Sequence, residues 1–263
     1  MDNFLTKLIS WKYGGYVERR ILLQSANGPC PLLAIMNILS LKQLINLKKD
    51  SYQEAELIAI MRNFLIEFNT VQPSAYADEI QLSLEKNLED ALNILPLLVR
   101  GLDINLRFDG IKSFEFSAEM LIFDLCNINL YHGWVIPPSD ELYPYLKDKD
   151  LLPTGIVLSQ FIQNSSTQTT EYGLNQLKYQ LPEGQLGILF KGNHYSVLTS
   201  DGGELFELVT AAGLSKMANI VWMRIDGTNN ESMLCNADFY PLEPHCQPSP
   251  SEIHDWCQIR RLP

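Results

Sequence analysis

The residues of this chain whose types and spacing best suit chemistry are Gln24, Cys30 and His194. Cys30 follows the turn-forming run NGP at 27–29 and precedes Pro31. Proline suits the first turn of a helix, because its missing N–H is not needed there. We therefore predict that Cys30 lies at a helix N-terminus, where the helix dipole and free N–H groups favour the thiolate. The alternative is a small buried apolar residue, the role of most free cysteines.

Two further side chains would complete a thiol site. Gln24 lies six residues before Cys30 and can offer its amide to a tetrahedral oxyanion, beside the Cys30 N–H. His194 follows a glycine turn and begins an apparent strand, HYSVLTS. A base on a sheet edge beside a nucleophile at a helix N-terminus is a recurring arrangement for acyl transfer. Taken alone, His194 is better explained as a hydrogen-bonded structural histidine.

A third group would have to orient the imidazole of His194. The sequence HYSVLTS-DGG-ELFELVT is roughly symmetric about Gly202, which is typical of a β-hairpin. With residues 201–203 as the turn, His194 faces Thr210 or an immediate neighbour. The Thr210 hydroxyl could accept from the imidazole N–H and fix its tautomer. Asp226, at the end of the next predicted strand, is the competing candidate.

The remaining histidines and cysteines suit other roles. His132, in the aromatic stretch LYHGWVIPP, is predicted to be structural, and Cys126 and Cys235 to pack in or near the core. The tail offers four possible zinc ligands within 13 residues, but their spacing matches no common structural zinc pattern. We predict neither a metal nor a cofactor. The four tail residues are His245, Cys246, His254 and Cys257.

Composition excludes several classes of protein. The hydrophobic fraction of 46% and the charged fraction of 19% are typical of a soluble globular chain. A net charge of −11 argues against a nucleic-acid partner and fits a basic or mixed-charge protein partner better. Five cysteines without framework-like spacing indicate a reducing compartment. No apolar run approaches the ~20 residues of a membrane span, and we predict a cytoplasmic or nuclear protein.

Hydrophobic periodicity predicts helices first and a sheet afterwards. The helix that follows Cys30 is apolar nearly all round, which predicts a central, buried helix. This order predicts an α+β fold with a C-terminal antiparallel sheet, a single domain over 1–241 and an irregular proline-containing tail over 242–263. Other predicted helices cover about 53–67, 79–95, 117–126, 140–147, 155–163 and 171–180, and predicted strands cover 18–23, 102–108, 185–190, 194–200, 204–210 and 220–225.

Several long blocks of the chain resemble the MINDY family of deubiquitinating cysteine peptidases. The resemblance is strongest in QSANGPCPLLAIMNIL, and it continues through LDINLRFDGIKSFEF, IFDLCNINLYHGW, FKGNHYSVLTSDGGELFELVT and CNADFYP. It implies a papain-like variant in which Cys30 is the nucleophile, His194 the general base and Gln24 the oxyanion donor. Where many relatives carry an acidic residue after the threonine of Leu-Val-Thr, this chain has Ala211.

The resemblance also implies a substrate. The expected activity is hydrolysis of isopeptide bonds in polyubiquitin, with the Lys48 linkage as the family preference, and the expected partners are ubiquitin and its chains. Two alternatives stay open: a ubiquitin-binding pseudoenzyme with little or no turnover, and a cysteine transferase of related fold, since water and amines compete for the same thioester.

Overall fold

Two β-sheets and the helices between them make up the fold. The computed structural model describes residues 3–24, 31–70, 78–147, 159, 161–163, 165, 167–227 and 231–243. The small sheet has the strand order β2-β1-β3, and the large sheet has the order β4-β5-β6-β7-β8-β9. The strands are β1 (Asn3–Trp11), β2 (Val17–Leu22), β3 (Ser51–Gln53), β4 (Leu130–Tyr131), β5 (Gly187–Lys191), β6 (His194–Asp201), β7 (Glu204–Leu208), β8 (Trp222–Asp226) and β9 (Glu231–Cys235).

Most of the helical structure precedes the large sheet, as the periodicity predicts. The longest helix, α3, has 17 residues, and α1 has 11. Of the helix predicted over 155–163, residues 159 and 161–163 are described and are helical. The α-helices are α1 (Pro31–Leu41), α2 (Glu54–Asn69), α3 (Asp78–Ile94), α4 (Leu121–Leu125), α5 (Tyr143–Lys147) and α6 (Glu171–Gln180), with short 3-10 turns at Lys12–Gly14, Leu95–Val99, Ala118–Met120 and Ala212–Leu214.

The large sheet is antiparallel except where β4 pairs with β5 in parallel. Its two central hairpins have two-residue turns whose residues all have positive φ, at 192–193 and 202–203. Such turns match the right-handed twist of the flanking strands, and Gly and Asn adopt their conformation readily. The mixed α+β architecture with a largely antiparallel sheet is therefore confirmed.

Helix α1 lies in the largest hydrophobic cluster and packs against β2, β5 and β6. All eleven of its residues are buried. The same cluster includes Trp11 of β1 and Trp222 of β8, whose rings are 5.3 Å apart. A continuous core thus connects the small sheet, α1 and the large sheet.

One predicted strand is wrong, and several strands are not predicted. Residues 102–108 form no strand, because their backbone makes one isolated bridge, Leu106↔Phe114, and scattered single hydrogen bonds in place of a continuous ladder. Their alternation reflects packing on the core, in which Leu102 is buried. Strands β1, β3, β4 and β9 are absent from the predictions. Across the described residues, no helix combines the length and apolarity that crossing a membrane requires.

Candidate active site

Helix α1 begins at Pro31, the residue that follows Cys30 in the sequence. Proline is favourable at this position, because the first N–H groups of a helix have no partner within it. Cys30 itself lies outside the described residues. Its role as nucleophile stays a prediction, while the start of the helix that follows it is fixed in the core.

Gln24 is attached to the chain that follows β7. Its N–H donates to the carbonyl oxygen of Thr210 at 2.6 Å, and its carbonyl accepts from the N–H of Ala212 at 3.0 Å. A parallel bridge pairs Gln24 with Ala211 between these two bonds. Gln24 is buried, with 8% of its surface exposed. The structure therefore brings two predicted site residues, Gln24 and Thr210, together through their backbones.

A polar pair inside the apolar helix α1 fixes the strand that leads to Gln24. Asn37 is fully buried; its Oδ1 accepts from the Leu22 N–H at 2.6 Å, and its Nδ2 donates to the Leu22 carbonyl at 3.0 Å. Ser40 donates to the Arg20 carbonyl at 2.7 Å. The sequence prediction does not include this pair. Two polar residues within an otherwise apolar helix are the signal that could have found it, because buried polar groups need partners.

His194 begins β6 directly after the tight turn 192–193, opposite Lys191 on β5. Gly192 has φ +58° and Asn193 has φ +56°, as a two-residue hairpin of this type requires. The Gly192 N–H also donates to Oε1 of Gln168 at 2.7 Å. The backbone that carries His194 is thus held by a strand pairing and by a side chain from the loop that precedes α6.

Tyr195 anchors the start of β6 in the core. Its hydroxyl donates to the Leu102 carbonyl at 3.0 Å, and its ring lies 4.9 Å from that of Phe190. Burial raises the pKa of the Tyr195 hydroxyl, so it keeps its proton and remains a donor. The half-buried His194 therefore adjoins a fixed, buried neighbour.

The β6–β7 hairpin is offset by one residue from the sequence prediction. Its turn is formed by residues 202–203 alone, and the ladder ends at Leu198. Extended to His194, the observed register puts Ala211 rather than Thr210 at the same level. No hydrogen bond between described residues involves the Thr210 hydroxyl. The orienting role of Thr210 stays a prediction.

Asp226 lies at the opposite end of the sheet from His194, so it cannot orient that imidazole. Arg224 is paired with Phe206 and Phe206 with Thr199, five residues along β6 from His194. Asp226 is two residues further, or about 23 Å away at ~3.3 Å per residue. Its carboxylate instead accepts from Arg224 at 2.9 and 3.0 Å. The competing hypothesis is wrong.

A cavity of about 340 Å³ lies beside the turn that carries His194. Its lining combines aromatic rings with amide and carboxylate side chains, a mixture typical of binding sites. Asn193, the residue before His194, is part of this lining. The other lining residues are Ile104, Asn105, Leu106, Phe108, Glu115, Trp134, Gln168 and Phe190.

His132 is structural, as the sequence predicts. It is fully buried, its Nδ1 accepts from the Trp134 N–H at 3.2 Å, and its Nε2 lies 3.1 Å from the Ser113 carbonyl. The proton of the neutral ring therefore belongs on Nε2, from which it is donated to Ser113. Burial lowers the pKa of His132 from 6.5 to about 4, so the ring is neutral at pH 7.

The cysteines that the structure describes are packing residues. Cys126 and Cys235 are both buried and free, and burial raises the pKa of each thiol. This confirms their predicted role. The four possible zinc ligands of the tail lie outside the described residues, and the described part of the chain contains no group of three or more metal-binding side chains.

The chain is similar to known proteins over most of its length. Residues 2–151 and 144–239 match the family model for MINDY deubiquitinase. Ubiquitin carboxyl-terminal hydrolase MINDY-1 of Homo sapiens is 34% identical over 260 residues, covering 91% of this chain and 54% of the relative. Ubiquitin carboxyl-terminal hydrolase MINDY-2 of Homo sapiens is 33% identical over 263 residues, covering 92% and 41%.

A relative in another organism is also a MINDY protein. MINDY-1 of Danio rerio is 31% identical over 267 residues, covering 94% of this chain and 50% of the relative. The chain therefore spans about half the length of the curated relatives it matches. Because the family model accounts for nearly the whole described fold, the chain belongs to the MINDY deubiquitinase family.

Proposed function

We propose that this chain is a cysteine-type deubiquitinase that hydrolyses isopeptide bonds in polyubiquitin, with the Lys48 linkage as the preferred one. The observation that carries the proposal is that both ends of the stretch 25–30 are anchored. Gln24 is bonded to the backbones of Thr210 and Ala212, and Pro31 begins a wholly buried helix. Because only six residues separate Gln24 from Pro31, these two fixed positions limit how far the Cys30 thiol can lie from Gln24, which favours orientation of a nucleophile.

In the proposed reaction, the Cys30 thiolate attacks the carbonyl carbon of the C-terminal glycine of ubiquitin. The Gln24 amide and the Cys30 N–H stabilise the oxyanion, and His194 gives its proton to the leaving lysine amine. Water then attacks the thioester, His194 takes its proton, and the C–S bond breaks to release the ubiquitin carboxylate. Thr210 is the proposed orienting residue for His194.

Three observations support the proposal beyond the family match. His194 is carried by a backbone held on both sides, the cavity adjoins Asn193, and the described cysteines 126 and 235 are buried and inert. The free thiols also fit the reducing environment of the cytoplasm or nucleus, where we propose that the protein acts. We propose a papain-like arrangement within one catalytic domain over 1–241, with ubiquitin and its chains as partners and no nucleic-acid or membrane partner.

The test incubates the protein with ubiquitin dimers and longer chains of each linkage, and with ubiquitin that carries a C-terminal electrophile. We expect cleavage of Lys48-linked chains and labelling of Cys30, both abolished in Cys30→Ala and in His194→Ala. Gln24→Ala should lower kcat by about 10²–10³, because it removes the proposed oxyanion donor. The backbone bonds of residue 24 do not depend on its side chain and should remain. Cys126→Ala, which removes a buried thiol of the core, is the matched control and should keep activity.

Each other outcome identifies a different function. Binding of ubiquitin chains without cleavage or labelling would favour a pseudoenzyme. Formation of a new ubiquitin conjugate with an added amine, at the expense of hydrolysis, would favour a transferase. Cleavage of another linkage in place of Lys48 would retain the hydrolase and overturn the linkage preference.

A further inference from the structure

Lys7 is a buried lysine that the proposed reaction does not use. It lies on β1 with 4% of its surface exposed, and its Nζ donates to the Ile220 carbonyl at 2.5 Å. None of the ion pairs between described residues involves it. Burial lowers the pKa of Lys7 to about 8, so it still carries a proton at pH 7.

A buried ammonium without a carboxylate is costly for folding, and an apolar side chain of the same length would avoid that cost. The presence of a lysine at this position is therefore better explained by what its ammonium holds than by a gain in stability. The group it holds, the Ile220 carbonyl, lies on the connection between β7 and β8.

This connection, residues 209–221, contributes four of the five residues of a small buried cluster. At its ends the Val209 N–H donates to the Val221 carbonyl at 2.9 Å. Inside it, the Ile220 N–H donates to the Met217 carbonyl at 3.1 Å, and Leu214 is buried. A displacement of Ile220 would therefore be transmitted along the 209–221 connection.

The 209–221 connection is also the part of the chain to which Gln24 is attached. Thr210 and Ala212 bond to the two backbone groups of Gln24, while β2, which leads to Gln24, pairs with β1 through Lys7↔Ile21. A chain of contacts therefore runs from Lys7 to the connection, from the connection to Gln24, and from Gln24 back along β2 to β1, so that it forms a closed ring. The Lys7 side chain is the member of this ring that joins β1 to the far end of the connection.

We propose that Lys7 is a positioning residue, whose ammonium holds the 209–221 connection against β1 and thereby fixes Gln24 and Thr210 for catalysis. The proposal rests on the proposed function for its catalytic part. Its structural part, the contribution of the Lys7 side chain to holding the connection in place, can be measured without any substrate.

The test compares Lys7→Met with Lys216→Met. Methionine has a similar length to lysine and cannot donate to Ile220. Lys216 is exposed on the same connection, so its substitution removes the same charge without the same contact. Urea unfolding, hydrogen exchange of the backbone amides over 209–221, and kcat and KM on a ubiquitin C-terminal amide substrate are measured for both variants and the parent chain.

For Lys7→Met we expect an unfolding midpoint at least as high as in the parent chain, exchange over 209–221 at least tenfold faster, and kcat about tenfold lower with KM within twofold. Lys216→Met should match the parent in all three. Unchanged exchange and unchanged kcat in Lys7→Met would overturn the proposal. Failure of that variant to fold would also overturn it, because Lys7 would then be a residue of general stability.

If the parent chain shows no turnover, the proposed function fails, and the exchange data alone decide whether Lys7 holds the connection. Faster exchange would then retain the structural part. Unchanged exchange in an inactive chain would reject the positioning role as well.

Discussion

The imidazole of His194 needs a partner that holds one tautomer, and the sheet register narrows the choice of partner. Thr210 lies within one residue of the level of His194, and its carbonyl is bonded to Gln24. Asp226 is about seven residues away along the sheet at ~3.3 Å per residue, and its carboxylate is bound to Arg224. Proximity therefore favours the weaker acceptor, the hydroxyl, over the stronger but distant one.

We predict that Thr210→Ala lowers kcat about tenfold or more, because the proposed bond from the imidazole to the Thr210 hydroxyl, which the described residues do not make, would form in the substrate complex. Asp226→Ala should leave kcat unchanged and remove only a half-exposed ion pair, worth ~0–1 kcal/mol of unfolding free energy. Both variants are assayed on the same ubiquitin substrate, with urea unfolding as a check on folding. Full activity in Thr210→Ala together with inactivity in Asp226→Ala would reject this assignment.

His132 makes the stability of the fold depend on pH below neutrality. Its pKa is about 4 in the folded chain, against about 6.5 when unfolded. Between these values the unfolded chain binds the proton and the folded chain does not. The stabilisation is therefore fully present above pH 6.5 and is lost as pH falls towards 4, in total about 3 kcal/mol.

Urea unfolding at pH 7 and pH 5 measures this contribution, expected to be about 2 kcal/mol over that interval. His132→Gln is the reference, because an amide can still donate to Ser113 and accept from Trp134 but does not titrate there. The variant should be less stable at pH 7 and lose less stability on acidification. Equal losses in both proteins would show that other groups, among the 31 acidic residues, account for the acid sensitivity.

At the scale of elements, periodicity predicted the helices and the central hairpins, because their cores are read directly from the spacing of apolar residues. Strand β1 escaped prediction because the middle of its pattern is irregular: Lys7 is buried, while Leu5 and Leu8 are about 40% exposed. Sequence patterns assign lysine to solvent and leucine to the core, so such a strand has no regular alternation. Its partner contacts, such as Ile220, become visible only in three dimensions.

In the candidate site, too, local features were predictable from the sequence and long-range contacts were not. Local chemistry identified Gln24 and His194 as candidates, and the hairpin symmetry came within one residue of the observed register. The attachment of Gln24 to residues 210–212 was not predictable, since it joins positions more than 180 residues apart. The clamp of Asn37 on Leu22 likewise depends on which strand lies beside α1.

That clamp gives a prediction for the element as a whole. Asn37→Leu should lower the unfolding free energy by about 2–4 kcal/mol, because the buried N–H and carbonyl of Leu22 both lose a partner. Ser40→Ala, which removes one hydrogen bond from the same helix to the Arg20 carbonyl, should cost about 1 kcal/mol. Urea unfolding of both variants measures the difference. A loss in Asn37→Leu no larger than in Ser40→Ala would contradict the clamp.

At the scale of the whole molecule, an aromatic cluster joins the two sheets. Trp11 of β1 contacts Trp222 of β8, and Phe239, beyond β9, lies 5.2 Å from Trp222 and 4.7 Å from Phe206. Phe239 adopts φ +68°, an uncommon conformation for a bulky residue, and is buried. An aromatic ring from the end of the described chain thus packs against the first strand.

We therefore expect Phe239→Ala to lower the unfolding free energy by about 3–5 kcal/mol, since it removes a ring from the contact between the sheets and leaves a cavity. Tyr240→Ala, at the adjacent and 70% exposed residue, should change it by no more than about 0.5 kcal/mol. Tryptophan fluorescence, to which Trp11 and Trp222 contribute, reports in part on the cluster, and far-UV circular dichroism reports on the helices. Because one core connects both sheets, the two signals should give the same urea midpoint in the parent chain. Two separate transitions would mean that the helices and the aromatic cluster unfold independently, and a single core would then not connect them.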